Sequence, residues 1–317
     1  MKPRIAIAIG DPAGIGPEIS LKAARDPQVR EICQPVLVGS REALAMHAVA
    51  CGTTLGDLYI QDLKYPAPRI GAVAPEHGHA ALAAAGAAID GALAGNYDAV
   101  VGAPHTEAAI HAAGLAFDGY PSFVARRCGL PPEEGVLMLC FGYAGRELRI
   151  AHVTLHASVR QALALITGPR IIRTLRATEA ALRALAIEKP RIAVSGVNPH
   201  AGEAGAFGRE EIELIAPAIA EVQRAGMAVE GPYGADTLLQ RTGYDAYVVM
   251  LHDQGHVAAK LLAPQRVAAL TIGTPVLFSS VGHGSALDIA GQGKADASAM
   301  REAITRLAAR RRRAPAT

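Results

Sequence analysis

An α/β fold built on a largely parallel sheet is the architecture this sequence predicts, and three observations lead to it. Short apolar runs alternate with longer amphipathic segments along the chain. Several of those runs are apolar at nearly every position, as strands covered on both faces of a parallel sheet are. Polar clusters follow four of the runs, and ligands of open α/β sheets sit beyond the carboxyl ends of the strands.

The elements can be justified in order. RIAIAIG (4–10) is a strand candidate, and GPEISLKAARD after it reads as a helix, with Pro17 suited to the first turn. PVLVG (35–39) is a second strand. The Ala-rich stretch 79–95 reads as a helix ending on Gly95, and YDAVVGAP (97–104) as the next strand. Two more follow at 135–141 and 148–156. Residues 168–187 and 209–226 carry apolar residues at three- and four-residue spacing and predict helices on either side of a strand at 191–197. Strands at 244–251 and 267–273 and a helix over 296–313 complete the pattern. No internal repeat or low-complexity linker marks a domain boundary.

The 317 residues suit one large α/β domain or two lobes of about 150 each. Half of them are hydrophobic, so a sizeable core is expected. Lys and Arg number 31 against 29 Asp and Glu, a net charge of +2, which argues against a broad nucleic-acid or membrane surface. The exception is Arg306 with Arg310 to Arg313, read as a solvated tail. Cysteines at 33, 51, 128 and 140 are never in CxxC spacing. They support neither a zinc knuckle nor a disulfide framework and are expected to be reduced, in a cytoplasmic protein. The N-terminal apolar run is too short for a signal peptide, and no stretch approaches membrane-spanning length.

Five polar clusters stand out: GDPAGIGPE (10–18), GAPHTEAAIH (102–111), the segment ending at His156, GVNPHAGEAG (196–205) and LHDQGH (251–256). Gly14 and Gly16 fall between a strand and a helix, where an anion could bind. Yet GDPAGIG is not GxGxxG, and Asp11 would repel phosphate, so a tight structural turn is the plainer reading. His156, His200 and His252 each end a different strand. One such histidine is usually structural, but strand ends converge on one rim, and three neutral imidazoles suit a catalytic zinc or a similar divalent ion. His111 and His152 read as core or surface residues, and His256 has no assigned role. The segment SVGHGSALDIAGQGKAD (280–296) is either a structural loop or one whose glycines let the backbone approach a ligand.

Taken together, IGDPAGIGPEI, NPHAGE, HDQG followed by Lys260, and GHGSALDIAGQGKAD resemble the PdxA-type family, the 4-hydroxythreonine-4-phosphate dehydrogenases, over nearly the whole chain. The resemblance implies a two-lobed fold similar to isocitrate and isopropylmalate dehydrogenases, with the active site in the cleft between lobes. It places a cofactor-binding lobe at 1–132 plus 260–317 and a metal-binding, dimerising lobe at 133–259. It implies that His283, Gly284, Ser285, Ala286, Asp288 and Gly291 hold NAD, and that His156, His200 and His252 hold a divalent metal (zinc, or magnesium, manganese or cobalt). The site would be shared across a homodimer, with one histidine from the partner subunit. Lys260 and Asp236 fall on catalytic positions. NAD is favoured over NADP because only Lys294 follows the loop to meet a 2′-phosphate.

The departures bear on the substrate. GYPS (119–122) stands where the phosphothreonine enzymes have Gly-His-Thr-Glu, so Tyr120 and Pro121 replace a substrate-binding His-Thr pair. Counted without gaps, Ala269 and Phe278 replace an Asn and an Arg. These losses remove much of what would hold a phosphate. They point to the branch that resembles the terephthalate dihydrodiol dehydrogenases, which oxidise and decarboxylate 1,2-dihydroxy-3,5-cyclohexadiene-1,4-dicarboxylate to protocatechuate. In that branch His105, Tyr120 and Ser122 are expected at the substrate. The alternatives are the vitamin-pathway enzyme itself, a related four-carbon phosphate-acid dehydrogenase, and a metal-dependent hydrolase or lyase that uses no NAD.

Overall fold

The computed structural model describes residues 2–185, 187–264 and 266–313, with side chains to 308. The chain divides into two compact units, one running to Gly129 and resuming at Pro275, the other spanning Leu130–Thr274. The expected lobe limits of 132/133 and 259/260 differ from these, most of all at the second crossing. The reason is local. The helix His252–Leu262 runs through position 260, and Ala259, Ala263, Val267 and Ala269 pack with Leu137, Leu139 and Phe141 of the second unit. Cutting there would split one apolar cluster.

In the first unit, β1 (Arg4–Ala8), β2 (Gln34–Gly39), β3 (Tyr59–Asp62) and β4 (Ala99–Gly102) are joined later by β11 (Phe278–Val281). The order is β3-β2-β1-β4-β11, and every pairing is parallel. Apolar residues on both faces of β1 explain its near-continuous hydrophobic sequence. Ile5 and Ile7 pack with the first and last helices, whereas Ala6 and Ala8 pack with Ala84, Ala85, Ala88 and Ile89 of the helix Pro75–Leu93.

In the second unit, β5 (Val136–Tyr143) and β6 (Arg146–His152) form a hairpin, followed by β7 (Arg191–Ser195), β8 (Ala228–Tyr233), β9 (Ala246–Val249) and β10 (Ala268–Ile272). The order is β10-β5-β6-β9-β7-β8, antiparallel at β10-β5 and β5-β6 and parallel elsewhere. The hairpin turns on Ala144 and Gly145, both at positive φ, the geometry that matches strand twist in a two-residue loop. No helix among the described residues is long and apolar enough to cross a membrane. The Arg310–Arg313 side chains lie outside the described residues.

Parallel pairing has one consequence for function. All strands of the first unit end on one edge, and so do β6, β9, β7 and β8 of the second. The polar clusters that follow them are therefore brought together within each unit.

Candidate metal and cofactor sites

In the second unit, four segments leave that edge side by side. Thr154 after β6 donates its N–H and its hydroxyl to Met250 O after β9, at 3.1 and 2.7 Å. Gly196 after β7 donates to Tyr233 O at the end of β8, at 2.7 Å. Gln254 joins the pairs: its Oε1 accepts from the N–H groups of Met250 and Leu251, both at 2.9 Å, and its Nε2 donates to Gly196 O at 2.9 Å. Through these bonds Gln254 supports the strand ends.

His252 opens the helix His252–Leu262, and its ring lies 5.8 Å from that of His156. Its Nδ1 meets Asp253 Oδ1 at 2.6 Å. An ionised carboxylate only accepts, so Nδ1 carries the proton and the Nε2 lone pair is left for a metal or a proton. His256 stacks on His252 at 3.7 Å and 8°, and buried His152 lies 4.8 Å beyond it. Burial, then the neighbouring imidazoles, pushes His256 down to about 4 and His152 down to about 3, so both are neutral near pH 7. Lys260 is exposed two turns further along the same helix.

Gly255 has a clear physical reason. A Cβ there would sit 2.3 Å from His152 Nε2 and 2.9 Å from the Ile150 side chain. Gly255→Ala is expected to force the buried ring aside and to cost roughly 1–3 kcal/mol, as overpacking does. Denaturant midpoints of the two proteins measure it, and an unchanged midpoint would show the ring yields freely.

His200 is held differently. His200, Ala201, Gly202, Glu203 and Ala204 all have positive φ, a left-handed turn in which four residues are not glycine. Each of those four is strained by roughly 1–2 kcal/mol. Glu211, at the head of a π-helical turn, holds the entry: Oε1 accepts from Val197 N and Asn198 N, both at 2.8 Å, and Oε2 from Asn198 Nδ2 at 3.0 Å. His200 is exposed, 6.3 Å from the Phe207 ring. Asp236, exposed in the short helix Ala235–Leu238, shares its neighbourhood: a Cβ on Gly234 would lie 2.7 Å from Asp236 Oδ1 and 3.6 Å from His200 Cα. Among the described residues, no three His, Cys, Asp or Glu side chains of one chain converge on a common metal position. His156 and His252 are paired, and His200 stands apart from them with Asp236.

In the first unit, β11 opens the segment from His283 to Gly291. His283 and Asp288 are partly or fully exposed, and Gly284 borders open space. Ser285 is buried; its hydroxyl accepts from Thr106 Oγ1 at 2.9 Å and its carbonyl from Ile15 N at 2.8 Å. It anchors the loop from beneath. Ala286 and Gly291 adopt positive φ. Asp11, which the sequence reading set against a phosphate, is fully buried, with Oδ1 accepting from Ala13 N. Beside this loop's anchor, His105 meets the rings of Phe117 and Tyr120 edge-on, 4.7 and 4.9 Å apart, and Tyr120 lies 4.8 Å from Phe278. Tyr120 is buried, donates to Ala103 O at 3.2 Å, and has its phenol pushed well up by burial. Ser122 lies near the Asp118 carboxylate; burial works to raise that carboxyl, and the Arg126 guanidinium and other hydrogen bonds hold it below its ordinary range.

Residues 31–307 match the family described as pyridoxal phosphate biosynthetic protein PdxA. The chain is a PdxA-family protein. Among its relatives is the 1,2-dihydroxy-3,5-cyclohexadiene-1,4-dicarboxylate dehydrogenase of a Comamonas species, 45% identical, with 96% of this chain and 97% of that one covered. The structure of a terephthalate 1,2-cis-dihydrodiol dehydrogenase from Burkholderia xenovorans LB400 is 41% identical with a TM-score of 0.69, covering 98% of each chain. That of 4-hydroxythreonine-4-phosphate dehydrogenase from Klebsiella pneumoniae is 33% identical with a TM-score of 0.84, again covering 98% of each. Isocitrate dehydrogenase from Methylococcus capsulatus, 19% identical with a TM-score of 0.52 over 98% of this chain and 88% of that one, shares the fold alone. The expected fold class and family are thus borne out. Sequence reasoning missed Glu211 and left Gln254 with no bond assigned. Both are ordinary polar residues, and the partners that tie them to the β7 terminus, Asn198 and Gly196, lie 13 and 58 positions away.

Proposed function

We propose that this PdxA-family protein is an NAD-dependent, divalent-metal-dependent dehydrogenase of a cis-dihydrodiol carboxylate, converting 1,2-dihydroxy-3,5-cyclohexadiene-1,4-dicarboxylate to protocatechuate and CO₂. One observation carries the choice of substrate. Two positions where the phosphate-using relatives are expected to hold polar or cationic side chains are filled by Tyr120 and Phe278, buried and in contact with each other. A phosphate would find no partner there. The 45% identity to the Comamonas enzyme over nearly both chains supports the same reading.

The metal is proposed to sit on His156 and His252 of one copy and His200 of a second, because the first two face each other and the third stands apart. The donor set fits: three imidazoles, one with its lone pair aimed by Asp253. The exposed Asp288 carboxylate and the backbone at Gly284 are proposed to hold NAD. When bound, the metal would supply Lewis acidity at the alcohol oxygen, and NAD a hydride acceptor. Lys260 is proposed to pair with a substrate carboxylate, and Asp236, beside His200, to be a further polar group at the same centre. Overall, the secondary alcohol would lose a hydride, which NAD would accept, and its hydroxyl proton. The ketone formed would lie β to a carboxylate, and the carbon–carbon bond to that carboxylate would break to release CO₂. The electron pair of that bond would make the ring aromatic, and the oxygen of the former ketone would take up a proton, so none is released overall.

The test is NADH formation from the terephthalate cis-dihydrodiol and from 4-phosphohydroxy-L-threonine in parallel, with divalent metal added. Turnover of the dihydrodiol, with the phosphorylated substrate at least about a hundredfold slower, is expected. Turnover of the phosphorylated substrate alone would identify a vitamin-pathway enzyme instead.

A further inference from the structure

We infer that Glu18 and Lys22 are positioning residues for NAD, tying the downstream end of the loop 283–295 to the helix Gly16–Arg25. The inference rests on the reading above that this loop holds the cofactor. Glu18 is fully buried in the first turn of that helix, and burial is expensive for a carboxylate unless it is paired. Its Oε1 accepts from Ala295 N at 2.7 Å and from Lys22 Nζ at 2.8 Å. The same ammonium donates to Gly293 O at 2.9 Å and Ala295 O at 2.7 Å. All three Lys22 donors are thereby used, two on backbone more than 270 residues away in sequence.

The upstream end of the loop is fixed independently. Ile15 N bonds Ser285 O, and Gly14 lies so close that an added Cβ would sit 2.7 Å from Ser285 Cβ. Gly293 is equally confined, with a Cβ there 2.7 Å from Ala50 O. Ala286, Asp288 and Gly291 therefore span two fixed points, one on each side. The segment GDPAGIGPE and the helix it begins act as a brace beneath the loop, which accounts for glycines there without a phosphate. A loop held at both ends has little freedom left to lose when a ligand orders it, and releasing one end restores that cost to binding.

The measurement is the NAD dissociation constant of the full-length, metal-loaded protein by calorimetry, for wild type, Glu18→Gln, Lys22→Met and Asp288→Ala. It is paired with amide hydrogen exchange over 286–297 in the absence of NAD and with metal affinity. Glu18→Gln and Lys22→Met are each expected to weaken NAD roughly tenfold. Both should speed exchange across the loop and leave metal affinity unchanged, a split that general destabilisation would not produce. The Lys22 side chain is one-third exposed, so Lys22→Met keeps the test available if Glu18→Gln does not fold. Wild-type NAD affinity in a folded variant, with Asp288→Ala weakened, would overturn the bracing role alone. Unchanged affinity in all three would overturn both the brace and the cofactor assignment of the loop.

Discussion

Replacing His252 with alanine is expected to remove the divalent metal and to lower turnover by about three orders of magnitude, the two losses appearing together. Three orders correspond to about 4 kcal/mol of transition-state stabilisation, within what a Lewis acid at a reacting oxygen supplies. The expectation follows from three features of the site. His252 is the histidine whose ring faces His156. Its proton is held on Nδ1 by Asp253, which leaves Nε2 as a donor. It opens a helix whose start is bonded to the β7 terminus through Gln254, so its position is fixed before any metal arrives. Metal content by mass spectrometry after dialysis, and NADH formation with and without added metal, check the result. Near wild-type turnover with metal retained would exclude His252 as a ligand. Metal lost with turnover retained would show that it is structural.

The sequence made the histidines of the proposed site legible as candidates because each follows an apolar run, and parallel strands end together. It did not reveal how they are held. The helix His252–Leu262 was not expected, since Gly255 in its second turn weakens a helix; the reason for that glycine is the buried ring of His152, about a hundred residues earlier. β3 and β11 were missed because each is four residues long and partly polar. β8 was missed because its Gly231-Pro232 pair reads as a turn, and it is tolerated at the sheet's edge beside β7 alone. The first unit's strands were plainer because both faces of β1 are covered and its sequence is apolar without interruption. The lobe boundary at 274/275 had no marker in composition. It is set by which cluster Val267 and Ala269 pack into, a tertiary fact.

Glu211→Gln is expected to weaken metal binding by roughly 10–100-fold, the size typical of lost support behind a ligand, while leaving NAD affinity at the wild-type value. His200 sits in a left-handed turn that its neighbours disfavour, and the turn persists because the buried Glu211 carboxylate gathers the backbone ahead of it. Three donors converge on two oxygens: Val197 N and Asn198 N on one, Asn198 Nδ2 on the other. A glutamine offers one acceptor atom and one NH₂ group, so in either orientation a donor faces a donor. Neither Gly196 nor Gly202 leaves room to adjust; an added Cβ would lie 2.9 and 2.6 Å from the carboxylate oxygens. Burial works to raise the Glu211 carboxyl, and the hydrogen bonds from Asn198 and Val197 outweigh it, so the folded pKa lies below the ordinary value. The carboxylate's contribution is therefore complete above the unfolded carboxyl range and is lost as pH falls through the lower, folded value. The turn should hold at neutral pH and loosen only in acid. Metal titration of both proteins, with hydrogen exchange over 197–205, checks the prediction. Unchanged affinity and protection in Glu211→Gln would mean that the turn stands without its carboxylate, and that the strain at His200 is balanced elsewhere.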